Sequence, residues 1–240
     1  MTMKTGMKAN AAAAQTAGAA PAIERIACGT VNCFVVSQGD SAVLVDTGTA
    51  KYRDKILKKC GAANVRLIVI THGHYDHAQN AAYLARRLDV PIAMHSADIP
   101  LLGALDPDAI QAHSAMGRLM VRFMKLAARP VAGKVISWFQ NSEIPAFAPD
   151  IALRDGDSLE EYGVSAAVIA LPGHTMGSVG LRVGGSDLLV GDALFNVFKP
   201  QKAVHYLDRA AMGQSARSIS DCGGLAIHFG HGESMTNRSW

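Results

Sequence analysis

From Ile23 onward the chain alternates between short apolar runs and amphipathic stretches. IERIA, VNCFVVS and SAVLVD are rich in β-branched residues and are separated by turns at Gly29 and Gly39, which predicts antiparallel strands. The third run ends at Asp46-Thr47-Gly48, and AKYRDKILKKC then carries helical spacing up to Gly61. RLIVI (66–70) is continuously apolar, as a strand buried on both faces would be. It leads straight into THGHYDHAQN, then into the helical AAYLARRL and the strand PIAMH. The second half repeats this grammar. VSAAVIALP, VGLRV and DLLV read as strands, LDRAAMGQSARSI as a helix, and LAIHF as a buried strand ending in Gly230-His231-Gly232. Each half therefore holds strands, an Asp at a strand end, a helix, and a strand that delivers histidine. Two such halves predict two sheets covered by outer helices, a four-layer α/β arrangement.

Between the halves, residues 106–129 carry the longest helical pattern. Met116, Leu119, Met120, Phe123, Met124 and Ala127 fall on one face, and Arg118, Arg122, Lys125 and Arg129 on a narrow opposite arc. Core packing and a solvated basic face would each account for these stripes. The functional alternative is a helical insertion around 96–129 that caps a pocket, with Met120, Phe123 and Met124 adapting to an apolar ligand. Residues 1–21 are low in complexity. Their Ala-rich stretch lacks the Leu, Ile and Phe of a signal sequence, so they read as a disordered leader. Residues 22–240 are then expected to form one domain, in keeping with a length of 240.

Composition narrows the function classes. With 49% hydrophobic and 18% charged residues, global disorder is excluded. A net charge of +3 is too small for nucleic-acid binding by bulk electrostatics. No run of 18 apolar residues occurs, so no membrane span is expected. Cys28, Cys33, Cys60 and Cys222 are sparse and irregularly spaced, which suits small hydrophobes in a reducing, cytoplasmic setting rather than a disulfide framework. The expected partner is a small-molecule substrate, and a homodimer is the default for any oligomer.

The chemistry concentrates in histidine. Three of nine histidines lie within six residues, in His72-Gly73-His74-Tyr75-Asp76-His77. Neither a helix nor a strand would bring these side chains together, so the segment reads as a loop in which Gly73 permits a sharp bend. Four potential ligands on one turn would be costly to desolvate without a metal. One open zinc site needs only three protein ligands, so the supply suits two ions. Further candidates follow apolar strands beside glycine: His174 in Pro172-Gly173-His174-Thr175, Asp192 in Val190-Gly191-Asp192, and His231. No nucleophile elbow, P-loop or dinucleotide fingerprint is present.

His72-x-His74-x-Asp76-His77, followed in order by His174, Asp192 and His231, resembles the metallo-β-lactamase superfamily of metallohydrolases, and Asp46-Thr47-Gly48 resembles its early strand-end motif. The likeness extends over nearly all of residues 23–235. It implies the αββα sandwich and a pair of divalent ions, zinc first, with iron or manganese acceptable to the same donors. It further implies that His72, His74 and His174 bind one ion, that Asp76, His77 and His231 bind the other, and that Asp192 bridges them. Asp46 would orient a ligand histidine through a hydrogen bond. Asp76 would be catalytic as a proton relay, beside a metal-bridging hydroxide available near neutral pH.

Among the branches of this superfamily, true zinc β-lactamases lack the bridging carboxylate that Asp192 supplies, and flavodiiron-type members carry Glu where His74 stands. Glyoxalase II-like members share the ligands but carry a long C-terminal extension, whereas only a short tail follows His231 here. Lactonase-like members place a Tyr where this chain has Phe195, which fills space but donates nothing. Tyr75 or Tyr206 are the candidates to replace that donor, and of the four remaining histidines His205, beside Tyr206, is the foremost candidate for a substrate contact. His95 and His228 read as hydrogen-bonded core or rim residues, and His113 as exposed. The function implied is hydrolysis of a small ester, thioester or lactone. The alternative is a persulfide dioxygenase-like enzyme with a single iron, and behind it stand a β-lactamase and a catalytically silent binding module.

Overall fold

Strict alternation in VNCFVVS sends Phe34 and Val36 to one face of a strand and Cys33 and Val35 to the other, and both faces are buried. That double burial sets the architecture. The computed structural model describes residues 19–102, 111–112, 118–119, 121–122 and 144–240. In chain order these form β1 (Ala22–Cys28), β2 (Val31–Gln38), β3 (Ser41–Val45), α1 (Arg53–Cys60), β4 (Val65–Val69), α2 (Tyr75–Ala78), α3 (Ala81–Leu88), β5 (Ile92–Met94), β6 (Gln111–Ala112) and β7 (Ile151–Ala152). The second half gives β8 (Ala166–Ala170), β9 (Val179–Val183), β10 (Asp187–Leu189), β11 (Leu194–Phe195), β12 (Gln201–Lys202), β13 (His205–Tyr206), α4 (Arg209–Asp221), β14 (Ala226–His228) and β15 (Met235–Thr236).

One sheet has the order β1-β2-β3-β4-β5-β7 and the other β15-β14-β10-β9-β8. Helix α1 connects β3 to its parallel neighbour β4, and α4 connects β10 to its parallel neighbour β14, so the repeated grammar is a repeated β-α-β unit. Phe34, Val36, Val43, Val45, Leu67 and Val69 of the first sheet face Val168, Val179, Leu181, Val183 and Leu189 of the second. The alternate residues Val35, Leu44 and Ile68 turn outward against Ile56 and Cys60 of α1 and Leu84 of α3. Leu188 and Ile227 turn outward against Ala216 and Ile219 of α4. The result is an α/β sandwich with helices on both outer faces, as expected. Asp208 caps α4, accepting from Ala210 N at 2.8 Å and Ala211 N at 3.0 Å.

Part of the predicted insertion is corrected. Gln111–Ala112 pair as a strand with His205–Tyr206, so no single helix runs from 106 to 129. Apolar spacing carries no information about a pairing this distant in sequence, and the helical period overrode it. Arg118, Leu119, Val121 and Arg122 are helical. Leu119, assigned to the apolar face, is 61% exposed, while Val121 is buried. His113, Met116, Met120, Phe123, Met124, Lys125, Ala127 and Arg129 lie outside the described residues. So does most of the leader, although Ala19 accepts a hydrogen bond from Gln38 Nε2 at 2.9 Å. The four cysteines are free thiols. Burial pushes the Cys60 thiol up to about 12, which keeps it inert. Among the described residues no helix is long and apolar enough to cross a membrane.

Candidate metal centre

Strands β3 and β4 run parallel, as do β8, β10 and β14 through their shared antiparallel neighbour β9. Asp46 follows β3, the 72–77 segment follows β4, and His174, Asp192 and His231 follow β8, β10 and β14. The candidate ligands therefore gather beyond the carboxyl ends of parallel strands, where α/β proteins build their sites. A hydrogen bond from Val179 N to Thr71 O, 2.9 Å, joins the two sheets beside the cluster.

The loop reading of 72–77 is resolved further. His72 and Gly73 are in the loop, His74 sits at the N-cap of α2 with extended backbone, and Asp76 and His77 lie on that short helix. Gly73 lies at a bend, as expected, without a positive φ. It is required for space: a Cβ there would lie 2.8 Å from the Asp98 carbonyl oxygen and 2.8 Å from Leu101 Cβ.

Three groups of donor atoms come within 4.8 Å of one another: His72 with His74 and His174, Asp76 with His77 and His231, and His72 with His77 and Asp192. His74 Nδ1 lies 3.0 Å from both His72 Nε2 and His174 Nε2. His77 Nε2 lies 3.3 Å from His231 Nε2, which lies 3.4 Å from Asp76 Oδ2. Asp192 stands between the groups. Its carboxylate oxygens are 3.3 Å from His231, 3.5 Å from His77, 3.5 Å from His174 and 3.8 Å from His72.

The outward ring nitrogens are tied. His77 Nδ1 donates to Asp46 Oδ2 at 2.7 Å, His174 Nδ1 to the His205 carbonyl at 3.0 Å, and His231 Nδ1 to the Thr30 carbonyl at 2.7 Å. His72 Nδ1 reaches Thr71 Oγ1 at 3.1 Å, and that hydroxyl reaches Asp46 Oδ2 at 2.9 Å. Each of these four rings thus turns Nε2 inward with its outer nitrogen held, as is usual for metal-binding imidazoles, whereas His74 turns Nδ1 inward. Asp192 Oδ1 is buried and has no hydrogen-bond partner, an unbalanced position for a carboxylate unless a cation meets it. The donor set fits divalent metal.

Electrostatics split the cluster. Burial lowers His72 and His174 well below the ordinary imidazole value and takes His74 down to about 4, so these three are neutral at pH 7. Burial opposes charge on His77 and His231 as well, but the neighbouring carboxylates outweigh it. Asp192, Asp46 and Asp76 raise His77, and Asp192 with Asp76 raises His231 to about 10. Burial works against ionisation of Asp76 and Asp192 too, yet the adjacent imidazoles hold both carboxyls below the usual range.

Phe195 lies with its ring stacked on His231, centroids 5.1 Å apart and planes at 11°. The His205 ring is 4.6 Å from His174 and 5.8 Å from His74, and its buried Nδ1 has no hydrogen-bond partner. Tyr206 is buried in a cluster with Phe195, Ala203 and Met212. His228 bonds Asp187 Oδ1 and Ser234 Oγ, both at 2.8 Å, and His95 Nδ1 accepts from Ala97 N at 3.1 Å. Both stand away from the donor groups just described.

Asp98 was not anticipated. Fully buried below the His72–His74 loop, it accepts hydrogen bonds from Gly73 N at 2.9 Å, Thr175 Oγ1 at 2.6 Å and Gly177 N at 2.6 Å. A signal existed, because it follows the buried strand β5 much as Asp46 follows β3 and Asp192 follows β10. Thr71 was missed as well, since nothing local marks a threonine as the link between a carboxylate and a ligand.

Comparison with known proteins identifies the family and agrees with the fold. The family model of the metallo-beta-lactamase superfamily matches residues 26–231. The probable metallo-hydrolase YflN of Bacillus subtilis is 26% identical over 85% of this chain and 80% of its own length. The probable metallo-hydrolase YybB of the same organism is 31% identical, but this match spans only 32% of the chain and 36% of YybB. A hydroxyacylglutathione hydrolase of Photobacterium profundum is 28% identical over 65% of the chain and 43% of that enzyme. Among solved structures, TTHA1623 in a di-iron-bound form superposes with a TM-score of 0.62 at 25% identity, over 89% of this chain and 93% of that one. The extent of the family match places the chain in the metallo-β-lactamase superfamily.

Proposed function

We propose that this protein is a metal-dependent hydrolase of a small ester, thioester or lactone. In this reading His72, His74 and His174 hold one divalent ion, Asp76, His77 and His231 hold a second, and Asp192 is shared by both. The observation that carries it is the unpartnered Asp192 Oδ1, buried among imidazoles whose outer nitrogens are already engaged. The partial likeness to a hydroxyacylglutathione hydrolase supports an acyl substrate.

Bound divalent ions supply Lewis acidity and bring the pKa of water from 15.7 to about 7. The chain's own residues supply the remainder. Asp46 fixes the tautomer of His77 directly and reaches His72 through Thr71. Asp76, ionised at neutral pH and with its side chain 22% exposed, takes a proton from the attacking water and returns it to the leaving oxygen or sulfur. Phe195, backed by Tyr206, walls the His231 side and excludes water. His205 Nδ1 pairs with a polar atom of the substrate, a task for which Phe195 has no group.

The test is metal analysis of purified protein, coupled to hydrolysis of p-nitrophenyl esters, acyl thioesters and lactones. Activity in one of these classes is expected with about two ions per chain, lost on dialysis against chelator and restored by zinc. Two bound ions without hydrolysis of any class would remove the substrate reading. A single iron per chain, with oxygen consumed on glutathione persulfide, would establish the dioxygenase alternative.

A further inference from the structure

Asp98 lies beneath two loops that a backbone hydrogen bond joins only at their edges, from Val179 N to Thr71 O, among the described residues. One carries His72 and His74, the other His174. Its Oδ2 accepts from Gly73 N, between His72 and His74, and from the hydroxyl of Thr175, next to His174. Its Oδ1 accepts from Gly177 N, farther along the second loop. Ser178 Oγ lies 2.7 Å from Thr175 Oγ1 and 3.1 Å from Thr175 N, so it braces that hydroxyl while Thr175 donates to Asp98. The approach is too close for any side chain: a Cβ on Gly177 would lie 2.6 Å from Asp98 Oδ1. A carboxylate with three donors from two loops is a charge-assisted clamp, and each such bond is stronger than one between neutral groups.

We infer that Asp98 is the positioning residue of the three-histidine site, holding the His72–His74 loop and the His174 loop at the separation that a single ion requires. This rests on the reading that His72, His74 and His174 together hold metal. The clamp reaches none of Asp76, His77 or His231, whose outer contacts run to Asp46 and Thr30. Its removal therefore loosens one site and spares the other. A role confined to folding would weaken both.

The experiment titrates zinc into metal-free protein against a chromophoric chelator, in wild type, Asp98→Ala, Thr175→Val and Thr175→Ser. His174→Ala serves as the reference for loss of the three-histidine site. Cobalt absorption spectra of the same proteins report the coordination of whichever site remains. Asp98→Ala is expected to weaken one equivalent by about 10–100-fold, the usual cost of losing an outer partner, and to give the spectrum of His174→Ala. Thr175→Val is expected to weaken the same equivalent less, and Thr175→Ser to restore it. Should Asp98→Ala fail to fold, the two Thr175 variants carry the test. Equal weakening of both equivalents, or wild-type affinity for both, would overturn the inference. Wild-type protein that takes up no zinc would instead overturn the hydrolase reading on which the inference stands.

Discussion

Asp46 Oδ2 and His77 Nδ1 are 2.7 Å apart, and both side chains are almost fully buried. The same carboxylate accepts from Thr71 N at 2.8 Å and from Thr71 Oγ1, while its own residue adopts a positive φ of 61°. That backbone conformation is tolerated by Asp and Asn far better than by other side chains. One residue thus closes the β3 end, orients the His77 ring and reaches His72 through Thr71.

Asp46→Asn separates charge from backbone geometry, because Asn accepts the same φ. Its single carbonyl oxygen cannot replace two carboxylate oxygens that face an imidazole N–H, a hydroxyl and an amide. Metal affinity is expected to fall about 10–100-fold, with helix and sheet content unchanged by circular dichroism. Unchanged metal affinity would show that His77 is oriented by packing alone.

Asp192→Ala removes the carboxylate that lies within 3.8 Å of four imidazoles. Most bound metal is expected to be lost, and hydrolytic activity with it, by at least about 100-fold given the conversion of about 1.4 kcal/mol per decade. In the metal-free variant His231 should titrate closer to the ordinary imidazole range, because Asp192 is the largest favourable contributor to its upward shift. Metal analysis and histidine NMR titration read the two effects.

The two candidate sites should respond to pH in different ranges. The His77–His231 pair is raised by its carboxylates and holds at least one proton at pH 7, which metal must displace. Affinity at that site is expected to climb as pH rises toward about 10. His72, His74 and His174 are already neutral, so affinity there should stay flat until pH falls well into the acid range, toward about 4 for His74. Stability of the metal-free protein follows from the same shifts, with the opposite sign at His231. The raised His231 contributes stability that is complete below the ordinary value near 6.5 and is lost as pH rises through about 10. The lowered His74 costs stability as pH falls from about 6.5 to about 4. Calorimetry in buffers of different ionisation enthalpy counts the released protons, and a count of zero at pH 7 would contradict the split.

What the sequence disclosed and what it withheld divide along physical lines. The β-rich run of β2 between Gly29 and Gly39 and the continuous apolar run of β4 mark strands and their ends, so the sandwich and its helices were legible. The 72–77 string was legible because so many metal-binding side chains seldom crowd one turn otherwise. Asp98 and Thr71 were not, since their value lies in hydrogen bonds to segments far along the chain. The β6–β13 pairing was hidden for the same reason, beneath a helical period that local spacing alone suggested.

Gly173 tests whether the His174 loop is held by close contact as well as by hydrogen bonds. Its φ of 132° lies in a region that is essentially closed to other residues, and a Cβ there would collide with the backbone of Met212 in α4. The same residue accepts Leu207 N at 2.9 Å and Asp208 N at 3.0 Å through its carbonyl, which seats the N-terminus of α4 beside the centre. Gly173→Ala must therefore move α4, the His174 loop, or both. Gly185→Ala is the matched control, for Gly185 also has a positive φ, 75°, but nothing lies within 4 Å of its Cβ position. The control should lose only the conformational cost, about 1–2 kcal/mol. Gly173→Ala should lose more than that and should also weaken binding of the ion assigned to His174, because displaced backbone carries the ring with it. Thermal unfolding of the pair, with and without zinc, separates the two effects. Equal melting temperatures for the two variants would mean that the contact with α4 yields at no cost, and that the His174 loop is held by its hydrogen bonds to the His205 carbonyl and Asp98.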